Sequence, residues 1–293
     1  LNSDQLYKYS IFLFFISFFS LFLVPFVGVE VKGSKRWIDL FFLPRFQPIE
    51  VLKPFLIIIL ATIFCDIRSN ILFKYLISII LITVISLLLI AQPDIGQTLL
   101  VVFCWAALIF TSGINIYILL AVFIAGASLL AYLIIFVPKF DYIQGRIFSF
   151  FNRETGTHNF QSDKAIESIT SGGFFGKGIG EGVLKNRVPE AHTDYIISVI
   201  SEEFGVVAIM LILLLFLILI YMVFKKISFE TNDKAKLILI GSISLILMQA
   251  TIHIGVNIRL FPTTGMTLPF LSYGGSSIIS TSILAGIILN LTK

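Results

Sequence analysis

Between Pro189 and Gly205 the chain reads Pro-Glu-Ala-His-Thr-Asp-Tyr-Ile-Ile-Ser-Val-Ile-Ser-Glu-Glu-Phe-Gly, setting His192, Asp194, Glu202 and Glu203 at the start of one of its longest apolar runs. An ionised acid inside such a run costs about 2.5–3.5 kcal/mol on membrane-insertion scales and is seldom kept without a use. Thr193 and Asp194 are good helix N-caps, and a carboxylate is favoured at the positive end of a helix, which is the plain explanation of Asp194. Against it stands a stripe: Asp194, Ser198, Ser201 and Glu202 recur three and four apart and share one helix face, while Ile196, Ile197, Val199 and Ile200 cover the rest. That face should look into a bundle or a wet cavity.

Other polar groups fall at similar places. Glu50 and Lys53 lie three apart in Phe46-Gln47-Pro48-Ile49-Glu50-Val51-Leu52-Lys53, on one face as a self-neutralising pair; either they cap a helix or Lys53 faces an anion. Trp37 beside Arg36 fits an amphipathic belt at a lipid interface. Gln92-Pro93-Asp94 reads as a tight turn that starts the next helix. A long loop holds Arg146, Arg153, His158, Lys164 and Glu167, then Ser171-Gly172-Gly173-Phe174-Phe175-Gly176-Lys177-Gly178-Ile179-Gly180-Glu181-Gly182. Gly178 stands where a phosphate loop needs Ser or Thr, and Ser171 where it needs Gly, so a nucleotide site is rejected. What remains is a flexible loop whose backbone can approach a large ligand closely. Gln249, His253 and Asn257 form a second inward polar stripe, with His253 read as a hydrogen-bonded core residue in preference to a proton carrier. The prolines and glycines between Phe261 and Ser277 forbid an ordinary helix there.

The elements that must position these residues follow from composition. Of 293 residues 57% are hydrophobic and only 13% charged, thirty are phenylalanine, and the mean hydropathy is +1.00. A soluble domain of this length could not cover such a surface, so the fold class is all-α, a polytopic integral membrane bundle. Apolar runs at Ile11–Val27, Leu52–Cys65, Tyr75–Ala91, Ile95–Ser112, Ile116–Val137, Tyr195–Phe224, Leu237–Val256 and Ser277–Leu291 give about eight spans, the second and last being short. The first run lacks a small-residue cleavage site and is read as a span, not a signal peptide. An even count puts both termini on one side, and the cluster Lys225, Lys226, Lys234 and Lys236, with Arg68 and Lys74, makes that side the cytoplasm. The opposite side then carries every motif above, including one large loop over 138–193. The net charge of +4, scattered between apolar runs, argues against nucleic acid. Cys65 and Cys104, inside apolar runs, read as small hydrophobes and not as a disulfide or metal pair.

Four signatures in order make the chain similar to the SEDS family (shape, elongation, division and sporulation): Gly-x-x-Arg-Trp from Gly33 with Gln-Pro-x-Glu-x-x-Lys from Gln47; Gln-Pro-Asp-x-Gly from Gln92; Ser-Gly-Gly with Glu-x-His-Thr-Asp ending at Asp194; and Leu-Pro-Phe-x-Ser-Tyr-Gly-Gly-Ser-Ser ending at Ser277. The Pro189–Asp194 and Gly265–Pro269 segments resemble the division branch more than the elongation branch. The resemblance implies a bacterial inner-membrane glycosyltransferase at the division septum, polymerising lipid II and nascent lipid-linked glycan on the outer face. It implies a class B penicillin-binding protein and other division proteins as partners. It makes Asp194 the essential acid and maps the family's Glu, Lys and loop Asp to Glu50, Lys53 and Asp94; Arg36, His192 and Ser272 complete the substrate-binding set. Transfer to a sugar hydroxyl with loss of a lipid diphosphate needs a base, here Asp194, and positive charge from Lys53, Arg36 or a divalent cation (Mg2+ or Mn2+), with no organic cofactor.

Some positions depart from the family's pattern. Family members carry ten helices, so the first two are expected to be lacking from this single domain. Ile49 replaces a usual Ser, Thr264 a frequent Lys and His253 a frequent Asn. Two rival readings use the same features: a transporter that flips lipid II through the polar stripes, and a non-catalytic division scaffold. No inverted repeat is evident, and the polar groups crowd the outer side, which favours chemistry there.

Overall fold

The computed structural model describes residues 3–31, 34–40, 43–66, 70–152 and 157–292; Gly33, Arg68, Arg153 and the side chain of His158 lie outside the described residues. All eight expected apolar runs are helices: α1 (Ser3–Val27), α2 (Pro48–Cys65), α3 (Ile71–Ala91), α4 (Ile95–Thr111), α5 (Ile116–Phe136), α8 (Ile196–Phe229), α9 (Asp233–Asn257) and α10 (Gly275–Leu291). Among the described residues six of them, α1, α2, α3, α5, α8 and α9, are long and apolar enough to cross a membrane. The chain is a multi-pass membrane protein. α2 begins four residues before the expected Leu52, at Pro48, whose missing N–H is no loss in a first turn. Its short apolar run is lengthened because Glu50 and Lys53 neutralise each other inside it. The short helix besides α10 is therefore α4, with 17 residues.

Two stretches expected as loops carry structure. The segment after α1 forms an antiparallel three-stranded sheet of β1 (Val29–Val31), β2 (Ser34–Leu40) and β3 (Leu43–Phe46), with Val29 opposite Trp37 and Ile38 opposite Phe46. The segment after α5 folds into α6 (Asp141–Asn152) and α7 (Thr157–Gly172). Their polar residues hide them from a search for apolar runs.

Contacts divide the chain into two compact units: residues 1–113, 218–249 and 273–293, and residues 114–217 with 250–272. In the first, α2 is the buried centre and touches α1, α3, α4 and α10. A Cβ at Gly241 of α9 would lie 2.6 Å from Ile57 and 3.1 Å from Leu108, so the missing side chain lets α9 meet α2 and α4. In the second, Ala165, Val188, Ala191, Tyr195, Val199 and Val256 form an apolar cluster beneath the segment that leads into α8.

The expected span from Tyr195 to Phe224 is not one regular helix. Gly205 has φ 74° and ψ −174°, which breaks α8. The break removes the bonds that Val206 and Val207 N–H would make to the Glu202 and Glu203 carbonyls. The glycine-rich segment after α7 makes them instead: Lys177 and Gly178 N–H donate to the Glu202 and Glu203 carbonyls at 2.9 and 3.0 Å, and Val206 and Val207 N–H donate to the Gly173 and Phe174 carbonyls at 3.0 and 3.3 Å. Buried irregular backbone is tolerated on that condition. A Cβ at Gly172, Gly176 or Gly205 would fall within 1.9–2.2 Å of a carbonyl oxygen across this junction. The glycines expected to admit a large ligand thus admit α8.

Candidate functional site

In the second unit Asp194 stands two residues before α8, partly exposed. Its segment is a tight turn in which Thr193, Asp194 and Tyr195 N–H all lie within 3.3 Å of the Glu190 carbonyl. Two side chains pin it further. Asn257, at the end of α9 and fully buried, donates from Nδ2 to the Asp194 carbonyl at 3.0 Å. The Ser272 hydroxyl donates to the Thr193 carbonyl at 2.6 Å while accepting from Leu268 N–H at 2.7 Å. The Asp194 carboxylate is set against Gly265, which has φ 67°. A Cβ there would sit 3.3 Å from Asp194 Oδ2.

The irregular segment expected after α9 is present and carries these contacts. His253 Nδ1 is 2.7 Å from the Met266 carbonyl, so that nitrogen carries the proton, as expected of a hydrogen-bonded core residue. Arg146 of α6 donates to the Thr263 carbonyl at 3.0 Å, and Arg259 pairs with Asp163 at 2.5 Å. His192 is exposed. The stripe Ser198, Ser201 and Glu202 faces inward, covered by α7: the Ser168 hydroxyl shares its one proton between the Ser198 carbonyl at 3.2 Å and Glu202 Oε2 at 3.0 Å, and Ser201 donates to the Ile169 carbonyl at 3.4 Å.

The first unit holds a separate buried network. Lys53 Nζ, 1% exposed, meets Glu50 Oε2 at 2.8 Å, Gln97 Oε1 at 3.1 Å and Gln249 Oε1 at 3.3 Å, which occupies all three of its protons. Gln97 also donates to Glu50 Oε1 at 2.6 Å, and Gln249 to Ser277 at 3.4 Å. α2, α4, α9 and α10 are thereby joined through one ion pair. Asp94 caps α4 as the turn reading expects, accepting from Gln97 N–H at 3.3 Å, and takes Gln47 Nε2 at 2.9 Å. Arg36 of β2 lies 3.7 Å from Asp94 and donates to the Gln92 and Pro93 carbonyls that end α3. Burial pushes the Asp94 carboxyl above its ordinary range, against the pull of the Arg36 guanidinium and the Gln97 amide.

The sequence-selected residues thus form two groups, Asp194 with Ser272 and Asn257, and Glu50 with Lys53, Asp94 and Arg36. The partners Gln97 and Ser168 carry no signal in the sequence, since isolated polar residues give no sign of what they meet; Arg146 is visible as a loop cation, but its contact with the Thr263 carbonyl is not. Among the described residues no group of three His, Cys, Asp or Glu side chains could hold a metal ion. A divalent cation would depend on a substrate's phosphate oxygens for the rest of its shell.

Residues 1–293 match a family model named FTSW_RODA_SPOVE and described as "Cell cycle protein". A Caulobacter vibrioides protein named "Probable peptidoglycan glycosyltransferase FtsW" is 35% identical over 273 residues, covering 92% of this chain and 68% of that protein. One of the same name from Enterococcus hirae is 34% identical over 279 residues, covering 91% and 70%. A solved structure described as "Structural coordination of polymerization and crosslinking by a peptidoglycan synthase complex" aligns with all of this chain and 83% of its own at TM-score 0.81 and 28% identity. The crystal structure of the Thermus thermophilus rod shape determining protein RodA aligns with all of this chain and 79% of its own, at TM-score 0.70 and 29% identity.

Proposed function

The chain belongs to the FtsW, RodA and SpoVE family of cell-cycle proteins, and from that premise we propose that it polymerises lipid II into glycan strands with Asp194 as the general base. It is a peptidoglycan glycosyltransferase, like the relatives it matches. The carboxylate takes the proton of a sugar hydroxyl as that oxygen attacks the anomeric carbon of a second, lipid-linked sugar. The bond from that carbon to the diphosphate breaks, and its electron pair leaves on the diphosphate. A single displacement inverts the anomeric centre and needs no second carboxylate as nucleophile.

The observation that carries this reading is the fixing of Asp194. Asn257 holds its own carbonyl and Ser272 that of Thr193, and Gly265 leaves the carboxylate room at the mouth of α8. Lys53, by contrast, has all three N–H groups engaged by Glu50, Gln97 and Gln249, so we assign Lys53 and Glu50 to holding helices together. Arg36 and Asp94 brace the end of α3 and the start of α4. His192, exposed beside Asp194, is the candidate for contact with the sugars or diphosphate.

A class B penicillin-binding protein is the proposed partner, supported by the likeness to a complex that couples polymerisation to crosslinking. The septum, other division proteins and cytoplasmic termini complete the proposal. In detergent, purified protein with that partner and lipid II should yield glycan polymer. Detergent abolishes sidedness, so a protein that only flips lipid would yield none. Asp194→Asn should lower the rate by about 10²–10⁴-fold, as expected for loss of a general base, with lipid II binding retained. Wild-type polymerisation by Asp194→Asn would remove Asp194 from the mechanism.

A further inference from the structure

Glu202 of α8 is completely buried, yet the reaction proposed above gives it no part. Its Oε1 accepts from Val183 and Leu184 N–H, each at 2.9 Å, and stands 3.4 Å from Lys177 Nζ. Its Oε2 accepts from the Ser168 hydroxyl at 3.0 Å. Gly182 lies so close that a Cβ there would be 3.0 Å from the Glu202 carboxyl carbon and 3.1 Å from Oε2. One side chain of α8 thus gathers α7, the glycine segment and the residues just after it.

The connectivity gives this arrangement its consequence. Leu184 lies ten residues before Asp194, and Asp194 runs directly into the helix that carries Glu202 eight residues later. The segment 184–194 is therefore a closed loop whose near end is held by the Glu202 carboxylate and whose far end is the start of α8. A charged acceptor makes backbone bonds stronger than a neutral one does, and a group buried this completely has little freedom to move.

We infer that Glu202 is a positioning residue for the reaction: by tying Val183 and Leu184 to α8 it closes the loop that presents His192, Thr193 and Asp194. The kinetic part rests on the proposed role of Asp194; the closure of the loop does not.

The test uses the full chain reconstituted with its transpeptidase partner and lipid II, and measures both steady-state kinetics and amide hydrogen exchange. Glu202→Leu, which keeps volume and removes both acceptors, should raise exchange in the peptide 184–194 and lower kcat about tenfold or more, as expected for a small misplacement of a reacting group, with KM little changed. Glu202→Gln keeps an acceptor for Val183 and Leu184 and should restore most of kcat and slow exchange. Should Glu202→Leu fail to fold, Gly182→Ala serves, since its methyl displaces the same carboxylate; it should shift kcat and exchange in the same direction by less. Wild-type exchange in 184–194 for Glu202→Leu, or for Gly182→Ala where that replaces it, would overturn the inference, as would faster exchange with kcat unchanged. Full activity of Asp194→Asn beside faster exchange in Glu202→Leu would refute the role of Asp194 and leave the closure of the loop standing.

Discussion

Replacing Gly265 by Ala tests the site with one methyl group. The new Cβ would lie 3.3 Å from Asp194 Oδ2 and 4.0 Å from its carboxyl carbon, so the carboxylate must yield by a few tenths of an ångström. The φ of 67° adds a backbone cost of about 1–2 kcal/mol for an L-residue. Stability and chemistry would therefore both suffer, and a control must separate them. Gly113 supplies it: its φ is 90°, but a Cβ there meets nothing within 4 Å. Gly113→Ala should lower Tm by a similar amount and leave glycan polymerisation intact. Because a 1 Å misplacement of a reacting group can cost about 10²-fold, a shift of a few tenths should cost Gly265→Ala about threefold to tenfold in kcat. Lipid II polymerisation by the reconstituted complex, beside thermal unfolding of each variant, reads both. Equal activity of Gly265→Ala and wild type would refute the placement of Asp194 against Gly265 as a constraint on catalysis. Equal loss in Gly113→Ala would show that stability alone is being measured.

The network in the first unit makes two further predictions. Removing one member of the buried pair, by Lys53→Met or Glu50→Leu, should destabilise by about 3–5 kcal/mol, whereas the double variant should lose less than the sum; additive losses in thermal unfolding would refute the coupling of Glu50 and Lys53. Because burial raises the folded carboxyl of Asp94 above the unfolded value of 3.8, its protonated form contributes stability below that pH, and the contribution is lost as pH rises through 3.8 towards the folded value. Wild type should accordingly lose Tm relative to Asp94→Asn as pH is raised from below 3.8, and a gain over that interval would show the carboxyl is not raised.

What could be read from the sequence was whatever rests on local pattern. Every apolar run became a helix, because lipid offers backbone groups no partner and a helix satisfies nearly all of them within the segment, and Asp94 caps α4 where a Pro-Asp turn precedes an apolar run. The inward stripe of Ser198, Ser201 and Glu202 was visible from its spacing, but not what it meets, because Ser168 is one of many serines until α7 is folded against α8. The glycine segment was misread for the same reason. Nothing local links Gly172 and Gly176 to Gly205, though their missing side chains let the two segments approach closely enough to replace the two hydrogen bonds that the break in α8 removes. α6 and α7 escaped because amphipathic helices outside the apolar runs leave no long hydrophobic signal.

The same residues that look catalytic in a membrane sequence also do the work of assembly. Lipid tails are as apolar as leucine, so apolar helices gain little by touching each other, and polar side chains supply bonds between them. Glu50, Lys53, Gln97 and Gln249 do so at one place, and Ser168, Ser201 and Glu202 at another. Burial and charge therefore do not by themselves separate a reacting group from a strut. Access does: Lys53 is sealed with all three of its N–H groups donating, whereas Asp194 has its backbone fixed and its carboxylate at a partly exposed position beside a glycine. A group that must exchange a proton with a substrate needs the second arrangement, which is why the chemistry is proposed for Asp194 and the cohesion of the first unit for Lys53.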